Sequence, residues 1–378
     1  MVRAFCFGVL MRITRLDIAR LRRFEAASFA PGPGLNLLVG DNGAGKTSVL
    51  EAIHLMGYGR SFRGRVRDGL VRQGADALEV FVEWHEGEAG RSRRAGLRHG
   101  GQHWQGRLDG VPVAQLGDLC AALAVVTFEP GSHGLISGGS EPRRRLLDWG
   151  LFHVEPDFLR LWRRYARALK QRNALLKTGA GDGQLDAWDQ ELADAGEPLT
   201  RHRREYLDRL GPRLQDESAE LLPAGGLAGL EFLPGWRQDE LSLLDALLLA
   251  RERDRVYGFT SVGPHRADWR ITHAGIPGRD ALSRGQAKLA TLSLLLAQAG
   301  LHAALRQEWP VVLLDDLASE LDRQHQQRVL ARLLASRAQV FLTGTDIPPA
   351  LATLGAPVDL FHVEQGTIRP EARPSAGA

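Results

Sequence analysis

Between Met11 and Gly110 apolar and polar residues mostly alternate, the period-two pattern of half-buried strands. Ile13, Leu16 and Ile18 begin one strand and Phe24 to Phe29 supply another, ahead of a turn at Gly32-Pro33-Gly34. Leu35 to Val39 is a short apolar run feeding a glycine-rich loop, after which Val49, Leu50, Ile53 and Met56 share one face of a helix over Lys46 to Met56. Leu78 to Trp84 alternates again, Arg94 to Leu108 is compatible with more strand, and Asp109-Gly110 signals a hairpin turn. These strands predict a side sheet.

From Glu155 to about Leu222 the period changes to that of long, charged, amphipathic helix. Leu159, Trp162, Tyr165, Leu169 and Leu176 form one stripe, broken by the segment Thr178 to Gly183. Leu185, Trp188 and Leu192 begin a return helix with an interruption at Gly196-Glu197-Pro198, and Tyr206, Leu210 and Leu214 form a second stripe. Beyond Phe259 the runs Val311 to Leu314 and Gln339 to Thr343 read as buried parallel strands separated by a helix over Asp322 to Leu334. Val358 to Val363 and Thr367-Ile368, joined at Gln365-Gly366, predict a closing hairpin. The expected organisation is a core in two pieces, 11–150 and 256–368, around an inserted helical lobe, 151–255, with short coiled-coil-like arms and flexible tails at 1–10 and 369–378.

At 378 residues, 44% hydrophobic and 25% charged, the chain can bury a sizeable core. A net charge of +3 is compatible with a nucleic-acid partner without requiring one. Arginine carries nearly all of the positive charge; the four lysines are Lys46, Lys170, Lys177 and Lys288. Cys6 and Cys120 form neither a disulfide framework nor a CxxC metal site. The opening MVRAFCFGVLM is too short for a signal peptide, Met11 starts a natural first strand, and residues 1–10 read as an extension or a misplaced start. With no apolar run of the roughly 18 residues a membrane span needs, no membrane partner is expected and a reducing cytoplasm fits.

Gly40-Asp41-Asn42-Gly43-Ala44-Gly45-Lys46-Thr47 has the form GxxxxGK[ST], with Ser48 next in the helix. Its glycines let backbone N–H groups turn towards phosphate oxygens, Lys46 reaches the β and γ phosphates of ATP, and Thr47 offers a hydroxyl to Mg²⁺. Val311 to Leu314 followed by Asp315 and Asp316 is a Walker B pattern, with Asp315 as a metal ligand. Asp316 stands where ABC ATPases usually carry the Glu that polarises the attacking water. Leu282-Ser283-Arg284-Gly285-Gln286 is similar to the LSGGQ signature, which binds the γ-phosphate held by an opposite subunit, although Ser283 is equally an ordinary helix cap. Ser319-Glu320-Leu321-Asp322 is similar to a D-loop. Thr343-Gly344-Thr345-Asp346 ends the next strand, where transporters place a switch His that this chain lacks.

Together GDNGAGKT, GRSFRG (59–64), RRRLLDWGLFH (143–153), TSVGPHRADW (260–269), LSRGQAK (282–288) and LLDDLASELD (313–322) resemble the RecF family of SMC/Rad50-like ABC ATPases, over nearly the whole of Met11 to Ile368. The resemblance implies an α/β fold: an ABC/SMC-type P-loop ATPase head, a mixed sheet with flanking helices and an antiparallel side sheet, carrying the inserted helical lobe. It also implies ATP-dependent dimerisation on DNA and help for RecA loading at single-stranded gaps through RecR and RecO.

Weaker candidates remain open. Glu129 follows the apolar run Leu123 to Phe128 and reads as either a Q-loop substitute near Mg²⁺ or a solvated turn carboxylate. His265-Arg266 approaches the nucleotide or braces a turn. Arg60, Arg63 and Arg65, with Arg67 and the clusters at 91–98 and 163–167, are candidate DNA-phosphate contacts. No base-reading element is visible, so double-stranded DNA and ds/ss junctions are expected to be bound independently of sequence, by a weak DNA-dependent ATPase. Rival readings are a DNA scaffold using ATP only structurally and an ABC transporter subunit. The latter predicts a Glu after Asp315, a switch His and a smaller insertion, and all three are missing.

Overall fold

The computed structural model describes residues 11–64, 69–87, 90–100, 103–179, 181–222, 226–275, 282–355 and 357–371. The chain forms two compact units, one of residues 1–132 with 299–378 and the other of 133–298.

The first unit holds two six-stranded sheets. In the side sheet the order is Phe24–Phe29, Arg12–Leu21, Ala77–Glu86, Arg91–Gly100, His103–Leu108 and Val111–Pro112, every pair antiparallel. The Asp109-Gly110 turn, with φ of 52° and 87°, has the left-handed residues a two-residue hairpin needs. In the core sheet Val358–Glu364, Leu35–Val39, Val340–Gly344, Val311–Leu314 and Val125–Phe128 lie parallel in that order, and Thr367–Glu371 closes one edge as a hairpin. The helix Lys46–Tyr58 buries Val49, Leu50, Ile53 and Met56 in one core with Leu16 and Val82 of the side sheet and Leu313 and Phe341 of the core sheet. Gln339 fastens the two sheets. Its buried amide accepts from Ile13 N–H at 2.7 Å and donates to Ile13 O at 2.8 Å and Gly32 O at 2.7 Å.

The second unit is built on the helices Ser140–Val154, Phe158–Thr178, Asp182–Leu221 and Leu243–Tyr257, with an antiparallel pair Leu227–Leu233 and Asp268–His273. The face that the second of these helices buries differs from the expected stripe. Phe158, Leu161, Tyr165, Ala168, Arg172 and Leu176 are inside, whereas Trp162 is 43% exposed. The buried face takes in Arg172, a charged residue at a core position, held by Asp189 at 2.5 Å and Asp254 at 2.7 Å, both fully buried.

The expected break at Gly196-Glu197-Pro198 does not occur; one helix runs from Asp182 to Leu221 with Pro198 and Pro212 inside it. Gly196 is required for packing, since a Cβ there would lie 2.5 Å from Leu243 Cδ2. Glu197 accepts from Leu243 N–H at 2.9 Å, so the tripeptide docks one helix on another instead of ending it.

The units divide at 132/133 and 298/299, whereas the sequence placed the edges of the insertion at 150/151 and 255/256. Buried polar bonds explain the larger second unit. Arg143 pairs with Asp268 at 2.7 Å, Arg203 with Asp148 at 2.8 Å, and Gln298 donates to Leu146 O at 2.6 Å. The helix Arg284–Arg306 includes an 18-residue window of mean hydropathy 1.3, but 72% of that window is buried within the fold, as suits a core helix. Residues 1–10 and 372–378 lie outside the described residues.

Candidate functional site

The strand Leu35–Val39 delivers the chain into the loop 40–45, and the following helix starts at Lys46. Two glycines are sterically forced. At Gly40, φ 151°, a Cβ would meet Val363 O at 2.2 Å; at Gly45, φ 121°, it would press on the Phe24 ring at 3.0 Å. Lys46 Nζ donates to Gly40 O at 2.5 Å and Asp41 O at 2.9 Å. Burial lowers the Lys46 ammonium from its ordinary value, opposed by the charges of Asp316, Asp315 and Asp41.

Opposite the loop, the strand Val311–Leu314 ends on Asp315, which is 4% exposed. Asp315 Oδ1 accepts from Thr47 Oγ1 at 3.0 Å and from Thr343 Oγ1 at 2.8 Å. Burial raises the Asp315 carboxyl; the two threonine bonds work against this, Asp316 adds to it, and the charge of Arg63 lowers it. Asp316 is left-handed at φ 53°, a conformation Asp and Asn tolerate better than most residues, and its N–H donates to Thr343 Oγ1 at 2.8 Å. The hydroxyl hydrogens of Thr47 and Thr343 are spent on Asp315, so the lone pairs of Thr47 remain available. Hard oxygen donors of this kind, few in number, suit Mg²⁺ shared with a nucleotide. Among the described residues no three His, Cys, Asp or Glu cluster as a fuller metal cage would require.

These groups line a cavity of about 340 Å³ in which Arg23, Lys46 and Arg63, with Arg22 paired to buried Glu51, face Asp315 and Asp316. That balance suits a polyphosphate. A larger open groove on the side sheet, about 1030 Å³, is lined by Arg15, Arg98 and Arg107 beside Asp17 and Glu79, with Arg15 paired to Asp17 and Arg98 to Glu79, and the glycine-rich loop 40–45 takes no part in its lining.

Sequence reading missed Arg22, Arg23, Glu51 and Thr343 as site residues. Arg22 and Arg23 occupy the turn between the first two strands, where a charged pair interrupting an alternating pattern was the available signal. Glu51 is fully buried on the helix Lys46–Tyr58. It accepts from Arg22 Nε at 3.0 Å and its second guanidinium nitrogen at 2.9 Å, and also from Ser61 Oγ. One carboxylate thus holds the Arg22 turn and the segment leading to Arg63 against the same helix.

The other sequence candidates are distributed as follows. Arg63 lines the cavity, Arg60 is exposed, and Arg65 lies outside the described residues. Arg93 and Arg164 are matched by Asp109 and Glu191 at 2.9 and 2.6 Å. Glu129 follows the strand beside Asp315, but its carboxylate accepts from Gly131 N–H at 2.6 Å within its own turn. His265 bonds Tyr165 Oη at 2.7 Å and Thr260 O at 2.9 Å, the bracing arrangement of the two considered. In the second unit, Ser283 and Gln286 cap the helix Arg284–Arg306 reciprocally: Gln286 N–H donates to Ser283 Oγ at 3.2 Å and Ser283 N–H to Gln286 Oε1 at 2.9 Å. Ser283, Arg284 and Gly285 remain exposed.

Residues 12–369 match the family described as RecF/RecN/SMC N terminal domain. The DNA replication and repair protein RecF of Stenotrophomonas maltophilia is 67% identical over 361 residues, 95% of this chain and 99% of that protein. The chain belongs to the RecF family. A solved structure of the recombination mediator protein RecF-ATP in the RecFOR pathway is similar to this RecF-family chain with a TM-score of 0.87 at 25% identity, covering 98% of this chain and 100% of the other. An Smc head domain with an extended coiled coil, from Pyrococcus furiosus, shares the fold, with a TM-score of 0.57 at 14% identity over 96% of each chain.

Proposed function

We propose that this RecF-family chain is a cytoplasmic, ATP-dependent DNA-binding protein of recombinational repair. It dimerises on DNA with each ATP between the P-loop of one copy and the signature Ser283-Arg284-Gly285-Gln286 of the other. Slow, DNA-stimulated hydrolysis resets the dimer, which acts with RecR and RecO to help load RecA at single-stranded gaps or ds/ss junctions. The observation that carries this reading is the convergence of Thr47 and Thr343 on buried Asp315 within a cation-rich cavity beside the P-loop.

The residues divide the work. The loop N–H groups and Lys46 hold the β and γ phosphates, while Arg22, Arg23 and Arg63 add positive charge around the triphosphate. Thr47 and Asp315 would hold Mg²⁺, which when bound offsets phosphate charge. Asp316 orients the attacking water, and its short side chain accords with slow turnover. The exposed cap at Ser283 offers a hydroxyl and helix-start N–H groups to a γ-phosphate brought by a second copy.

Sedimentation with no nucleotide, with ATP, and with ATP plus a gapped duplex tests the reading. A shift from monomer to dimer with ATP, strengthened by DNA, is expected. An unchanged sedimentation coefficient in all three conditions would exclude it. Phosphate release measured in parallel separates the clamp from a scaffold that holds ATP without turnover.

A further inference from the structure

The helix Leu243–Tyr257 of the second unit ends in an exposed aromatic patch. Gly258 caps it at φ 71°, a left-handed turn that brings residues on either side of it together. Tyr257, 57% exposed, and Phe259, 40% exposed, therefore stack with ring centroids 5.5 Å apart and planes 18° apart. Val256 beside them is 83% exposed.

The charges around the rings are sorted. The acids of this helix end have their own partners: Asp254 is fully buried against Arg172, and the exposed Glu252 pairs with Arg255 at 2.6 Å. The cations face outward. The Arg266 guanidinium lies 5.0 Å from the Phe259 ring centroid, and Arg253 donates to Ser261 Oγ at 2.7 Å. Lys177 adjoins the turn, its Cγ 3.5 Å from where a Gly258 Cβ would sit. Among the described residues none of these three cations is within ion-pair distance of a carboxylate.

We infer that this patch is a platform for single-stranded DNA, an unpaired base stacking on Tyr257 and Phe259 while Lys177, Arg253 and Arg266 meet the flanking phosphates. The inference rests on the proposed DNA-binding reading and assigns the single-stranded arm of a junction to the helical unit. Exposed rings beside cations that lack carboxylates are what sequence-tolerant single-strand binding uses. Rings and arginines are enriched in protein-docking surfaces as well, and the test below separates the two occupants.

The test uses the full chain with ATP and two fluorescent probes, a blunt duplex and the same duplex with an oligothymidylate overhang. The parent should bind the overhang probe more tightly. In Tyr257→Ala/Phe259→Ala that advantage should disappear, a loss of roughly 10- to 100-fold for one stacked base, with blunt-duplex and ATP affinity unchanged. Tyr257→Phe/Phe259→Tyr keeps both rings and should keep the advantage. An alanine variant that retains it, or a parent showing none, overturns the platform. So does an alanine variant that binds the overhang normally but loses a protein of the same pathway, which would make the patch a protein-docking site. A parent that binds neither probe contradicts the DNA-binding reading itself, a distinct failure.

Discussion

The P-loop cavity and the signature cap are both polar sites at the starts of helices, yet they differ in how their groups are satisfied. In the first unit the polar groups are buried or half-buried and answer one another: Thr47 and Thr343 bond Asp315, and Arg22 bonds Glu51. In the second, Ser283 and Gln286 answer each other in a local cap, with Ser283 exposed and Gln286 half-buried. A site of the first kind is organised in a single chain, and removing one partner strands the others in a poorly solvated setting. A site of the second kind loses little locally when changed, so its contribution must come from whatever meets it. The contrast predicts intrachain consequences for one set of substitutions and interchain consequences for the other.

The largest intrachain effect is expected from Lys46→Arg. A planar guanidinium replaces a compact ammonium held between Gly40 O and Asp41 O, and ATP affinity should fall roughly 100-fold or more. Titration with a fluorescent ATP analogue checks this, and affinity equal to the parent's would remove Lys46 from phosphate binding. Ser283→Arg should leave monomer ATP affinity unchanged while abolishing ATP-driven dimerisation. Mixed with Lys46→Arg it should recover weak pairing through one intact composite site, visible by sedimentation. Loss of ATP binding by the monomer would reduce Ser283 to a helix cap.

Glu51→Gln should weaken ATP by roughly tenfold, because it removes the charge that fixes Arg22 while keeping the shape. Hydrogen exchange should rise at residues 20–24 and 59–63 without a matching rise along the helix Lys46–Tyr58. A uniform rise would show ordinary destabilisation.

The smallest effect concerns pH and compares the units directly. Burial pulls His302 in the first unit and His265 in the second from 6.5 down to about 4. The unfolded chain therefore takes up these protons first. Stability present above pH 6.5 should drain away as pH falls towards 4, on the order of 1–3 kcal/mol per histidine. Urea midpoints across that range measure it. His302→Gln should flatten the slope contributed by the first unit alone; an unaltered profile would mean that His302 takes up its proton without opposing folding.

Local pattern foretold the first unit better than the second. Val311 to Leu314 was readable because a short apolar run ending in two carboxylates needs no distant partner to be recognised, and the helix Lys46–Tyr58 followed from its apolar spacing. What stayed hidden depends on residues far along the chain. Arg172 is a core residue only because Asp189 and Asp254 meet it, and Gly196 continues a helix only because Leu243 packs on it. Glu51 and Arg22 are 29 positions apart, and nothing local marks either as the other's partner. Within the site, the residues that touch phosphate in a P-loop are fixed by motif, whereas those that support them are fixed by tertiary contact.

A hydroxyl has one proton to give, and Thr47 and Thr343 both give theirs to Asp315 while Thr343 takes the N–H of Asp316. The direction of both threonine bonds is thereby set by a carboxylate that can only accept, and that of the third by an N–H that can only donate. Asparagine has nearly the outline of aspartate but an amide that gives as well as takes. Turned the wrong way, Asp315→Asn would oblige one or both threonines to rotate and would disturb the seat of the Asp316 amide. A substitution commonly chosen to erase a charge and nothing else would here also rewrite the orientation of its neighbours, and Asp316→Asn, whose side chain lies outside that chain of donors, is the cleaner test of the hydrolytic role proposed above.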